Sequence, residues 1–238
     1  HIVAPEITFE AEGSIHITSQ GGLTIGTGGI INAAVDGSSI TIDNTPQGAG
    51  FLKVDPSTVN KPAKVTINYT TAAYNSGNPR DERWQYMGAP GRDMNIVADV
   101  DKTLIYNWSE QNGWLKYSSD ELDPFAGYVF TQNKGTKDNP EASFQITATP
   151  IIPEEIQEIN LTVTPTGMGG SNLFANSFLA PIDVAKINLA NDLEGVEGTF
   201  YLFNFGSWTQ WQEQGGSTNE MLGDGTSPGQ YYAITPGS

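Results

Sequence analysis

"TLIYNWSEQNGWLKYSSDELDPFAGYVF", residues Thr103–Phe130, and "TFYLFNFGSWTQWQEQGGSTNEMLGDGTSPGQYYAI", residues Thr199–Ile234, run through one order of features. Each passes from an apolar strand through Asn, aromatic, polar turn and Trp to an acidic loop, then Gly and an aromatic strand. The Trp-bearing hairpins fall at Asn107–Trp114 and Asn204–Trp211. Upstream, a strand containing Met87 or Phe174 runs into a small-residue–Pro turn, Ala89-Pro90 or Ala180-Pro181. This parallel reads as two diverged copies of one module, rich in the aromatic and β-branched residues that suit a packed sheet. Residues 84–150 and 159–238 are therefore expected to form two related β-sandwich-like modules. Nothing after Gly229-Gln230-Tyr231 matches the "ASFQIT" of the first copy, so a strand from beyond Ser238 or from elsewhere is expected to complete the second.

Residues 1–74 carry a different rhythm. Ile15 and Ile17, Leu23 and Ile25, Ile40 and Ile42, Val65 and Ile67 alternate with polar residues. Period-two alternation marks half-buried strands, and Gly, Pro, Asn and Asp recur between the runs as turns. The expectation is a short β-solenoid or a meander. "AYNSGNPRDER" (73–83) reads as a linker between this segment and the first module. One helix is expected, at Pro181–Leu189, because Pro suits a first helical turn. The fold class is all-β: a solenoid or meander segment followed by two sandwich-like modules.

Charge and composition narrow the function. The chain has 238 residues with 27 Asp and Glu against 11 Lys and Arg, a formal charge of -16. Such a surface repels phosphate backbones and anionic lipid, which argues against nucleic-acid partners. No apolar run approaches the roughly 20 residues that span a bilayer as a helix, so membrane insertion is not expected. With no cysteine, disulfides, thiolate metal sites and thiol nucleophiles are excluded. The first residue is His1, which reads as a mature or trimmed product whose export signal has been removed.

Catalytic constellations are poorly supplied. His1 and His16 are the only histidines, and His16 alternates outward between Ile15 and Ile17. A copper site on the terminal amine would need both imidazoles together on an exposed surface, and Ser-His-Asp chemistry would need one buried beside a nucleophile. Carboxylate pairs for glycoside hydrolysis would come from Asp120, Glu121 and Asp123, or from Asp99 with Asp101. Solvated turn acids are the simpler reading of both groups. Calcium is the one metal with a case: it takes oxygen ligands from Asp, Asn and carbonyls in Gly-rich loops. Asp99 and Asp101 in "ADVDKT", with Asn219 and Asp224 in "NEMLGDGTSPG", offer such ligands without EF-hand spacing.

The binding candidates are aromatic. Trp108, Trp114 and Tyr117 in the first copy, and Trp208 and Trp211 in the second, lie beside polar turns. Exposed Trp and Tyr stack on sugar rings and anchor protein interfaces. Trp208 and Trp211 are three apart and point to opposite faces on a strand, so one is expected in a core and the other outside.

"RWQYMGAPG", "YNWSEQNGW" and "PFAGYVF", with "NSFLAPIDVAKI" and "FYLFN", resemble a module of large secreted and cell-surface proteins of Bacteroidetes, many of them adhesin-like. In such proteins a stretch similar to "GSIHITSQGGLTIGTGGIIN" commonly precedes the modules. The resemblance implies an exported, extracellular or cell-surface, non-enzymatic protein, and supplies no catalytic residues. The expected function is adhesin-like or structural display of a binding face, toward a glycan or a host or bacterial surface protein. The alternative is a carbohydrate-binding accessory module of a polysaccharide-utilising system. Unpaired strand edges would also permit self-assembly.

Overall fold

The computed structural model describes residues 2–8, 13–32, 39–45, 48–57, 64–78, 82–97, 103–119, 121–151, 158–183, 192, 194–195 and 233–234. Every regular element among them is a strand, as an all-β sequence requires. In the first segment these are β1 (Ile2–Thr8), β2 (Ser14–Ile17), β3 (Gly22–Asn32), β4 (Ser39–Thr45), β5 (Gly48–Ala49), β6 (Phe51–Val54) and β7 (Val65–Thr71). Successive coils stack in parallel, not in the antiparallel pairing of a meander. β1, β3 and β6 form one sheet, and β2, β4 and β7 lie side by side in another. Ile15 registers on Ile40, and Ile42 on Ile67. Ile17, Ile40, Ile42, Val65 and Ile67 are thereby buried against Leu23, Ile25, Leu52 and Val54 of the facing sheet.

The next strands are β8 (Gln85–Gly88), β9 (Arg92–Val97), β10 (Thr103–Ser109), β11 (Gly113–Lys116), β12 (Gly127–Gln132) and β13 (Ala142–Thr149). They divide between two sheets. β13 and β9 extend the first segment's sheet, giving a six-stranded sheet in the order β2-β4-β7-β13-β9 with β5 on β4. β7 and β13 pair along their length, from Ala142 on Thr71 to Ala148 on Val65. The described strands of the first segment and those from β8 to β13 thus share one sheet and one core, and a bridge joins Tyr74 to Arg83 across the stretch expected as a linker.

The four remaining strands make an antiparallel sheet, β11-β10-β12-β8, which covers the β7-β13-β9 half of the long sheet. Aromatic stacking holds the two together. Phe144 of β13 lies flat on Tyr69 of β7 at 4.7 Å, and Phe130 of β12 meets Phe144 edge-on at 4.8 Å. At the rim Gln132, fully buried, donates to the Thr103 hydroxyl at 2.8 Å and accepts from the Ser143 N–H at 3.1 Å. It thereby satisfies polar groups on both sheets where burial would otherwise leave them unpaired.

The outer face of the long sheet is polar except at its β9 edge, where Val97, opposite Gln145, is 63% exposed. His16, Asp43, Asn68 and Gln145 form a hydrogen-bonded ladder across β2, β4, β7 and β13. Its links are His16 Nε2 to Asp43 at 2.7 Å, Asn68 to Asp43 at 3.0 Å and Gln145 to Asn68 at 2.9 Å.

Residues 158–181 run as an irregular strap over this body. Bridges join Phe174 to Ala126 and Phe178 to Ile151, and the Leu52 N–H donates to the Leu179 carbonyl at 2.8 Å. The expected helix at Pro181–Leu189 is corrected over the part that is described. Ile182 and Asp183 are a short strand, β14, paired with β15 (Ala233–Ile234). Pro181 fixes φ equally well for extended chain, and the β-branched Ile182 favours it. The rest of that expected helix, 184–189, lies outside the described residues.

Candidate functional site

The functional candidates converge on the outer face of the four-stranded sheet. Alternation along β10 turns Ile105 to the core and Tyr106 and Trp108 outward. Register carries this across the sheet: Trp114 is opposite Trp108, Val129 opposite Tyr106, and Tyr86 opposite Val129. Trp84, two residues before Tyr86, joins the same face.

The rings make a connected array. Trp108 and Trp114 meet edge-to-face at 5.1 Å, Tyr86 meets Trp114 at 6.1 Å, and Trp84 meets Tyr106 at 5.5 Å. Tyr86 and Trp114 come from the two edge strands, so their rings reach toward each other over the intervening strands. Val129, although on the outer face, is only 7% exposed. The interplanar angles of 71°, 59° and 79° present ring edges beside ring faces, not a flat platform. Trp114 is the most accessible ring of the array at 40% exposed, and Leu115 beside it is 42% exposed. Partial burial also pushes the Tyr86 hydroxyl pKa up, which keeps that ring neutral.

The tip of the β10–β11 hairpin is anchored to the strap. Glu110 is buried, and its carboxylate accepts from the Gly170 N–H at 3.0 Å and the Thr164 hydroxyl at 2.8 Å. Its carbonyl accepts from the Met168 N–H at 2.7 Å. The Gly170 N–H first, then the Thr164 hydroxyl, hold the carboxyl below the usual glutamate range, because both favour the ionised form. The neighbouring Trp108 indole donates to the Ser171 carbonyl at 2.6 Å. Gly167 is required here, since a Cβ at that position would strike Glu110 and Thr164. Asn172 caps the strap in turn, accepting from the Thr162 N–H at 3.0 Å and donating to its carbonyl at 2.8 Å.

Between tip and strap lies an open cleft of about 320 Å³. Trp108 to Gln111 form one wall, and Thr162, Thr164, Asn172 and Leu173 the other.

Of the aromatic candidates, Trp108 and Trp114 are thus brought together on one face. Tyr117 takes another role: its ring packs edge-on against Tyr128 at 5.0 Å, and its hydroxyl donates to the Glu121 carbonyl at 2.6 Å. Trp208 and Trp211 lie outside the described residues, as do Asp99, Asp101, Asn219 and Asp224 of the calcium expectation and Asp120 of the carboxylate group. Among the described residues no three His, Asp or Glu side chains converge as metal ligands. His16 is engaged with Asp43 on the polar face, 58% exposed. Sequence reading did not single out Trp84, Tyr86, Tyr106 or the Glu110 anchor. The spacing of Trp84 and Tyr86 was a usable signal, since two aromatics two apart on a strand share a face.

No family model and no solved structure matches the chain. The chain is similar to the minor fimbrium subunit Mfa5 of Porphyromonas gingivalis, 32% identical over 160 residues. That match covers 63% of this chain and 12% of the subunit, so the chain spans about an eighth of the relative's length.

Proposed function

We propose that the chain is a non-enzymatic component of the bacterial cell surface, adhesin-like or structural, which presents the aromatic face of the β11-β10-β12-β8 sheet to a partner. The observation that carries this is Trp114. A tryptophan 40% exposed on an edge strand, backed by Trp108 and Tyr86, is the arrangement of an interface anchor. Neighbouring rings fix its rotamer, which lowers the entropy lost on contact. Similarity to a fimbrium subunit supports an extracellular or cell-surface location, and the acidic surface fits a solvent-facing protein. Among the described residues β11 and β9 end their sheets, which supports self-association through strand edges as part of the same role.

The test compares wild type with Trp114→Ala. Purified wild type is expected to adhere to immobilised bacterial or host surface preparations and to co-sediment with surface appendages of the producing cells; the variant is expected to lose adhesion while keeping its fold. Equal adhesion by both proteins, or recovery of the native protein only from the cytoplasm, would sink the proposal. A monodisperse monomer by light scattering at high concentration would count against self-association.

A second reading, a carbohydrate-binding accessory module, is favoured by the cleft beside Trp108. The steeply inclined rings argue against a flat, crystalline polysaccharide as its target.

A further inference from the structure

We infer that the cleft between the β10–β11 turn and the strap binds a neutral sugar residue, at the end of a glycan or as a short oligosaccharide; this deepens the carbohydrate-binding reading above and rests on it.

A pyranose offers apolar C–H faces and hydroxyl edges, so its site needs an aromatic or aliphatic wall with hydroxyl and amide groups around it. Trp108 and Leu173 supply the apolar part, while Gln111 and the hydroxyls of Ser109 and Thr162 supply the polar part; the Asn172 amide is spent on Thr162 and Gly170. The walls are already held in place. The Trp108 indole is tied to Ser171, Asn172 clamps both backbone groups of Thr162, and Glu110 holds Thr164 and Gly170. Little ordering is left for the ligand to impose, which lowers the cost of a contact that buries modest area. Gln111 is the exception. It is exposed at the turn and hydrogen-bonds to no described residue, so its amide is available to reach a ligand hydroxyl.

Size and charge restrict the ligand further. At about 320 Å³ the cleft sits at the lower end of small-molecule sites, roughly 300–1,000 Å³, which suits one or two rings and not an extended chain. Its ionisable group, Glu110, is held ionised with both oxygens engaged, and the chain carries -16 overall. An anionic sugar would enter against that field without a cation to meet it.

The experiment is a titration of the whole chain with lactose, maltose and di-N-acetylchitobiose, with 3′-sialyllactose as the anionic comparison, reading the tryptophan indole N–H resonances. At least one neutral disaccharide is expected to shift the Trp108 signal saturably, with sialyllactose weaker. Gln111→Ala, on an exposed turn, is expected to weaken binding about tenfold, the loss of one well-made ligand hydrogen bond. Trp108→Phe, which keeps an aromatic wall but removes the Ser171 contact, is expected to weaken it as well. No saturable shift with any neutral disaccharide, equal binding of sialyllactose, or an unchanged affinity in Gln111→Ala overturns the inference. A saturable shift of other indoles that leaves Trp108 unmoved sinks the cleft alone, whereas no saccharide binding at all sinks the carbohydrate-binding reading with it.

Discussion

The two outward sheet faces of this molecule are built on one core and have opposite chemistry. On the long sheet, His16, Asp43, Asn68 and Gln145 satisfy one another along a polar ladder. On the four-stranded sheet, Trp84, Tyr86, Tyr106, Trp108 and Trp114 hold an aromatic array in the same position relative to the core. Strand formation does not explain the difference, because Thr, Asn and Gln serve an outer face at far lower aggregation risk. An apolar face kept in water is a liability unless something covers it, and this contrast supports the proposal that the aromatic side makes the contact.

The largest expected effect would break the comparison by removing what both faces share. Phe144 stacks on Tyr69 and abuts Phe130, so Phe144→Ala should cost about 3–5 kcal/mol. Chemical denaturation should show both faces lost in a single transition. Two separated transitions would mean that the sheets are independent bodies.

Next comes the anchor behind the aromatic face. The folded pKa of Glu110 is depressed, so its contribution is fully present above the unfolded glutamate value of about 4.3 and is lost as pH falls through the lower folded value. Hydrogen-exchange protection factors at the Met168 and Gly170 amides should fall in that acid window. Glu110→Gln should lower them at neutral pH and flatten the pH response. An unchanged exchange pattern in that variant would show that the strap does not depend on this carboxylate.

Trp114→Ala should have a smaller effect on stability, about 0.5–1.5 kcal/mol for the lost aromatic pairings beyond simple area, while abolishing adhesion. Asn68→Ala sharpens the contrast from the other side. It removes two partly exposed ladder bonds, should cost about 1 kcal/mol by thermal melting, and should leave adhesion intact. Lost adhesion in Asn68→Ala would reverse the assignment of the faces.

The legible parts of the fold were those written in local alternation. Ile15, Ile17, Ile40, Ile42, Val65 and Ile67 announce both a strand and its buried side, because side-chain direction repeats every two residues whatever the strand pairs with. Pairing partners are not written that way. That β13 leaves the strands around it in sequence to join β7 depends on Phe144 finding Tyr69 and Phe130, a contact between distant residues that no local pattern encodes. The helix expected from Pro181 failed for a related reason, since a fixed φ near -65° starts a helix or continues an extended chain with equal ease. At the site, the Trp108–Trp114 hairpin could be read because its residues are neighbours in sequence. Tyr86 and Thr164 join it only through register and through the strap. Tyr117 lies in the same stretch of sequence, but the structure turns its ring inward to Tyr128.

Asn172 has an effect beyond holding the strap. Its carboxamide offers Thr162 the same donor and acceptor that an adjacent peptide unit would. It therefore terminates hydrogen bonding on that side of a stretch whose Ile159, Leu161 and Val163 are 42%, 41% and 77% exposed. One short side chain thereby occupies the backbone groups of Thr162 that an incoming strand would otherwise pair with.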